Sequence, residues 1–130
     1  MGAASFQELG VWRKAHQAVL GVYRLTASFP REEIFGLTSQ LRRSMVSVPA
    51  NIAEGFSRRG KADKVRFYNI AEGSLEESRY YLLLARDLGF ADTGELLAEL
   101  DEVGRMLRSY SAAVSAARFS PRSLLSLLFF

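Results

Sequence analysis

Asn51-Ile52-Ala53-Glu54-Gly55 and Asn69-Ile70-Ala71-Glu72-Gly73 are the same pentapeptide, set twice into stretches whose apolar residues recur at helical spacing. Glycine costs about 1 kcal/mol against alanine inside a helix, and a half-buried Asn or Glu has to find partners. Both residue types therefore mark close helix contacts or a specific polar network. The flanks differ, Ser47-Val48-Pro49-Ala50 before one copy and Val65-Arg66-Phe67-Tyr68 before the other, so local packing explains the repeat better than an internal duplication. Asn and Glu three residues apart share a helix face, and the glycine that follows lets a neighbouring backbone come close.

Outward from this pair the spacing predicts four helices. The first opens with a capping-box pattern, Ser5 to Glu8, places Leu9, Trp12, Val19, Val22 and Tyr23 on one face, and ends at Phe29-Pro30. The second has Pro30 in its opening turn and Glu32 and Glu33 near its positive end. Its inner stripe is Ile34, Leu37, Leu41, Met45, Val48 and Ile52, and it runs to about Ser57, with Gly60 closing it. Pro49 removes one backbone hydrogen bond, so a kink is expected near Ser47 to Val48. The third runs from about Lys61 to Leu88, with Phe67, Ala71, Ser74, Leu75, Ser78, Leu82 and Ala85 inward and Gly89 as its stop. The fourth starts at Asp92 and points Leu96, Leu100, Val103, Leu107, Tyr110 and Val114 inward, in alternating steps of four and three. No hairpin signal competes. Short connections between long helices imply an all-α, antiparallel up-down-up-down four-helix bundle over residues 1–118. An apolar tail, residues 119–130, follows it; its length is too small to cross a membrane, and docking on its own bundle or a neighbour, or an accidental extension, are open readings.

The chain of 130 residues fits one core, and it contains no cysteine. Disulfides, thiolate metal sites and thiol nucleophiles are thereby excluded, and a cytoplasmic location is expected. The first residues, Met1 to Phe6, lack the basic and apolar regions of a signal peptide, and no stretch reaches the ~20 apolar residues of a membrane span. His16 is the only histidine, so a bundle-core di-iron site with two Glu-x-x-His motifs cannot be assembled. Glu76-Glu77 and Asp101-Glu102 are sequence neighbours, which diverge around a helix and do not form a preset acid–base pair. No phosphate loop, nucleophile elbow or dinucleotide fingerprint appears. The expectation is a protein without catalysis, cofactor or metal.

Two sets of polar residues stand out. Gln40, Arg43, Asn51, Glu54 and Glu77 are placed to form a polar layer, with Arg43 paired to a carboxylate; a structural network is the expected reading and a ligand site the alternative. The second set is a charge segregation. Arg42, Arg43, Arg58, Arg59, Lys61, Lys64 and Arg66 stand against Glu54 and Asp63, a net +5 over residues 42–66, whereas residues 67–103 carry a net −7. A total of +3 conceals this polarity. The aromatic residues Trp12, Phe67, Tyr68, Tyr80 and Tyr81 read mainly as core, but not all of those on helix three can face inward. The surplus points to a buried subunit interface.

The same residues carry a resemblance. Leu37-x-x-Gln40-Leu41-Arg42-Arg43, Ser47-Val48-x-x-Asn51-Ile52-Ala53-Glu54-Gly55 and Ile70-Ala71-x-Gly73-Ser74-Leu75-x-Glu77 resemble the four-helix-bundle family of bacterial 23S ribosomal RNA intervening-sequence proteins, and Val11-Trp12 and Phe29-Pro30 also fit its pattern. The likeness covers about residues 6 to 115. It implies a homopentamer of bundles around a central channel and no known enzymatic activity. More distantly, it implies kinship with the accessory proteins of diversity-generating retroelements, which bind nucleic acid beside a reverse transcriptase. The family name records gene location rather than biochemistry, and the apolar tail departs from the pattern.

Two functions fit the charge polarity. In one, the basic cluster at Ser57-Arg58-Arg59-Gly60-Lys61 contacts RNA or DNA phosphates without base specificity, repeated around a ring. In the other, the basic segment of one subunit meets the acidic face of the next, or of another protein, and the polarity serves assembly alone. A solvated helix turn is the plainest alternative to both.

Overall fold

In a computed structural model that describes residues 2–117, the chain forms α1 (Gly10–Thr26), α2 (Leu37–Ser57), α3 (Lys61–Asp87) and α4 (Gly94–Ala116), with single 3₁₀ turns at Phe6–Glu8 and Arg31–Glu33. No strand is present among the described residues, and the all-α expectation holds. The expected apolar tail lies outside the described residues.

The helices pack in a closed square. α2 against α3 is the most extensive pairing, α4 lies on α3, and α1 closes the square against both α2 and α4. Ser44 meets Ser78 and Ser47 meets Ser74 across α2 and α3; Leu75 approaches Gly104 and Tyr68 meets Tyr110 edge to face across α3 and α4. Sequence numbers thus rise on one helix as they fall on its neighbour. One apolar cluster draws on all four helices, centred on Val22, Leu41, Met45, Ile52, Tyr68, Leu82, Leu100 and Leu107.

The helix ends refine the expected boundaries. Ser5 and Glu8 do cap, with Ser5 Oγ accepting from the Gln7 N–H at 3.0 Å and the Glu8 carboxylate from the Ala4 N–H at 2.8 Å. They secure the 3₁₀ turn, however, and α1 begins only at Gly10. Trp12 is half-buried, stacked on His16 and edge-on to Phe6, and Tyr23 is exposed rather than inward. Ile34 also leaves its expected stripe. A separate turn precedes α2, which starts at Leu37, so Ile34 does not share the helix's period and is exposed.

α2 continues through the buried Pro49. It stops because Arg58 is extended, and Gly60 serves as the N-cap of α3 rather than as the end of α2. Gly89, at φ +76°, ends α3, letting the Phe90 N–H reach back to the Ala85 carbonyl at 2.9 Å. Thr93, not Asp92, is the N-cap of α4; its hydroxyl turns inward and donates to the Leu82 carbonyl at 3.2 Å, while Asp92 accepts from the Gly94 N–H. All six residues of the α4 stripe are buried.

Candidate functional site

Five of the seven singled-out cations, Arg58, Arg59, Lys61, Lys64 and Arg66, meet at the α2–α3 end of the bundle. Arg58 and Arg66 both reach Asp63, at 3.9 and 3.0 Å, and both lay their guanidinium over the ring of Phe67, at 4.7 and 4.5 Å. Arg58 also pairs with Glu54 at 3.2 Å. The last carbonyls of a helix have no intrahelical donor, and Lys64 supplies one, donating to Phe56 at 2.7 Å and Gly55 at 3.3 Å. Burial lowers the Lys64 pKa, since its ammonium has given up part of its water. Lys61 donates to the Ala117 carbonyl at the end of α4, at 2.6 Å. Arg59 is exposed and has no side-chain partner among the described residues.

Arg42 and Arg43 do not join this cluster. They precede Arg58 by fifteen or more residues on α2, about 22 Å along the axis. Arg42 instead ties α2 to α1, donating from Nε to Thr26 Oγ1 at 2.8 Å and covering the Tyr23 ring at 4.5 Å. The seven cations of residues 42–66 thus fall into a five-residue end and, apart from it, Arg43 and the Arg42 clamp on α1.

The expected polar layer divides as well. Gln40, Arg43 and Glu77 line an α2–α3 cleft of about 340 Å³ with Ser44, Ser47 and Ser74. Arg43 forms no ion pair among the described residues, so the expected pairing with a carboxylate is absent. Glu77 accepts from the Tyr81 hydroxyl at 2.6 Å, an arrangement that raises the Tyr81 pKa, and Glu54 turns to Arg58. Asn51 donates to the carbonyl and hydroxyl oxygens of Ser47, at 2.8 and 2.9 Å.

Besides the Lys64 bonds to the end of α2, two serine pairs bridge α2 and α3. Ser44 and Ser78 hydroxyls lie 2.8 Å apart in the interior, and Ser47 and Ser74 lie 2.8 Å apart at its edge. Ser74 and Ser78 were legible as part of the α3 stripe; Ser44 and Ser47 were not assigned, although small polar residues beside Leu41, Met45 and Val48 are the signal that marks them.

The two pentapeptides sit in different environments. Ile52 and Gly55 of the first copy are buried, and a Cβ on Gly55 would lie 2.5 Å from Tyr68 Cε1. In the second copy Ala71 is the buried residue, Ile70 and Gly73 are exposed, and nothing lies within 4 Å of a Cβ built on Gly73. Close approach at both glycines was expected; only Gly55 requires it. Beneath Gly55, Tyr68 and Tyr110 stack edge to face at 5.2 Å, and neither buried hydroxyl has a partner in hydrogen-bonding geometry. Burial raises both pKa values, and the neighbouring phenol raises that of Tyr68 further.

Among the described residues no group of three or more His, Cys, Asp or Glu is placed to hold a metal. Glu76 and Asp101 both pair with Arg79, and no described helix is long and apolar enough to cross a membrane.

The fold has a solved counterpart. A Bacteroides thetaiotaomicron protein of unknown function from the S23 ribosomal protein family superimposes with a TM-score of 0.70 at 22% identity, covering 78% of this chain and 97% of that one. No curated protein matches the chain. The profile of the family described as 23S rRNA-intervening sequence protein matches residues 7–109, most of the bundle, and the chain belongs to that family.

Proposed function

We propose that this chain is a non-enzymatic, self-assembling bundle that contacts the sugar–phosphate backbone of RNA or DNA through the end formed by Arg58, Arg59, Lys61, Lys64 and Arg66. The observation that carries the reading is the convergence of these five cations on one end, where Glu54 and Asp63 are the carboxylates they pair with. Lys61 and Lys64 spend one donor each on helix-end carbonyls, which fixes their position while leaving the ammonium charge in place. Asp63 and Phe67 hold Arg58 and Arg66 side by side. Arg59 projects freely and leads the contact. Such a surface offers charge without base-reading geometry, so binding is expected to be non-specific and salt-sensitive. Several copies in a ring, five on the family resemblance, would add avidity.

The second reading is a protein-binding scaffold whose polarity serves assembly. It is favoured by the internal use of Lys61, Lys64 and Arg42, which have structural duties that need no nucleic acid. Titration of generic single- and double-stranded RNA and DNA into the assembled protein at two salt concentrations decides between the two. Affinity that falls steeply with salt, and that is weakened in Arg59→Glu while assembly size is unchanged, supports the first. Dissociation of the assembly by the same substitution supports the second.

A further inference from the structure

Phe35 is 94% exposed and its neighbour Ile34 is 56% exposed. They do not lie on a loose loop. The Ile34 N–H donates to the Arg31 carbonyl at 3.2 Å, the Gly36 N–H to the Glu33 carbonyl at 2.9 Å, and the Leu37 N–H to the Glu33 carboxylate at 3.0 Å. The backbone of the turn is therefore tied on both sides, and it presents an aromatic ring to water from a defined place. Scattered apolar residues on a surface are ordinary, but an aromatic knob on a tied turn, with an apolar neighbour, is the form that interface anchors take.

The same chain carries a hollow of fitting character. Arg105, Met106, Ser109 and Tyr110 line a mainly apolar cleft of about 260 Å³ on α4. Phe35 of the same molecule is remote from it: Phe35 stands before α2, at the end where α4 begins, and Met106 lies twelve residues into α4, about 18 Å along its axis. The charges are complementary. Arg31, Glu32 and Glu33 flank the knob with a net negative charge, while Arg105 at the hollow and Arg108 one turn further are cationic and make no ion pair among the described residues. We propose that Phe35 of one copy seats in the Arg105–Met106–Ser109–Tyr110 hollow of a second copy, with Glu32 facing Arg105. Knob and socket lie at different places along the bundle, and the arrangement inferred is head-to-tail: each copy receives one knob and offers another, so the contact propagates from subunit to subunit and forms a ring where the rotation closes. This inference rests on the reading that the chain self-assembles, and it assigns the contact that drives assembly.

The absence of cysteine from the sequence gives a clean test. The full chain carrying Phe35→Cys and Met106→Cys together, oxidised mildly, should yield a ladder of disulfide-linked species on a non-reducing gel that collapses on reduction. Each single variant should give at most a covalent dimer. Phe35→Ser, at a position outside the core, should keep its helical circular dichroism and weaken self-association at least tenfold by sedimentation equilibrium. An unaltered association constant in Phe35→Ser, or no ladder from a double variant that still assembles, overturns the knob-and-socket contact and leaves self-assembly standing. Wild-type protein that sediments as a single chain at all concentrations overturns both.

Discussion

The ring of Tyr68 occupies the space that a side chain at position 55 would need. A Cβ on Gly55 would meet Tyr68 Cε1 at 2.5 Å, Tyr68 Cδ1 at 3.0 Å and Phe67 Cβ at 3.1 Å. Tyr68 cannot retreat, because its ring is fully buried against Tyr110. The glycine thus sets how closely α2 and α3 approach just before the basic turn, and so fixes the geometry from which the cations project.

Substitution by alanine should therefore act in opposite directions at the two repeats. Gly55→Ala overpacks a rigid contact and should destabilise by about 1–3 kcal/mol. Gly73→Ala fills open space in a helix interior and should stabilise by roughly 0.5–1 kcal/mol. At about 4 °C per kcal/mol for a domain of this size, thermal melts would separate the variants by several degrees. Equal shifts of the same sign would show that the glycines are equivalent.

The buried serine pair gives a second expectation. One hydroxyl donates across the pair and the other donates locally, Ser78 to the Ser74 carbonyl at 2.9 Å or Ser44 to the Leu41 carbonyl at 3.2 Å, so each hydroxyl has a local acceptor when the other is removed. Ser44→Ala and Ser78→Ala should each cost about 1 kcal/mol, and the double variant less than the sum by about 0.5 kcal/mol or more. Strict additivity in urea denaturation would mean that the 2.8 Å approach carries no coupling.

What the sequence disclosed and what it concealed follow from the range of the forces involved. The α4 stripe was legible because Leu96, Leu100, Val103, Leu107, Tyr110 and Val114 repeat a single period from one end of the helix to the other. Ile34 was misassigned because its spacing extends that of α2 while a separate turn sets its backbone. The pentapeptides look alike in sequence, yet one turns Gly55 inward and the other Ala71, a difference set by packing partners rather than by local pattern. The same limit applies to the candidate site. Charge counting located the basic turn, but a count cannot tell that Lys64 caps a helix, that Arg42 clamps α1, or that Arg43 stands alone.

The buried phenols should impose an alkaline limit on stability. Folding holds Tyr68 and Tyr110 neutral, with pKa values raised by burial, whereas in the unfolded chain they ionise near 10.0. Below pH 10 both states are protonated and stability is unaffected. Above it the unfolded state loses protons first, so stability should fall by about 1.4 kcal/mol per pH unit for each tyrosine. Tyr68→Phe removes one of these groups and should make the loss shallower in denaturant titrations above pH 10. It should cost little at neutral pH, since the hydroxyl has no partner to lose. An unchanged alkaline slope would place the hydroxyl in contact with water.

Lys64 and Arg59 should separate stability from binding. Lys64→Met withdraws the donor to the Phe56 and Gly55 carbonyls, and hydrogen bonds from a charged group contribute about 1.5–3 kcal/mol, so thermal stability should fall clearly. Loss of one cation should weaken nucleic-acid binding only modestly. Arg59 touches nothing that holds the bundle, so Arg59→Glu should leave the melting temperature within about 2 °C, the ordinary range for a surface substitution. Its effect should appear in the salt dependence of binding, whose logarithmic slope for duplex DNA falls by about 0.9 for each phosphate contact removed. If Arg59→Glu leaves both the affinity and that slope untouched, the basic end does not meet phosphate, and its charges belong to the bundle and its assembly.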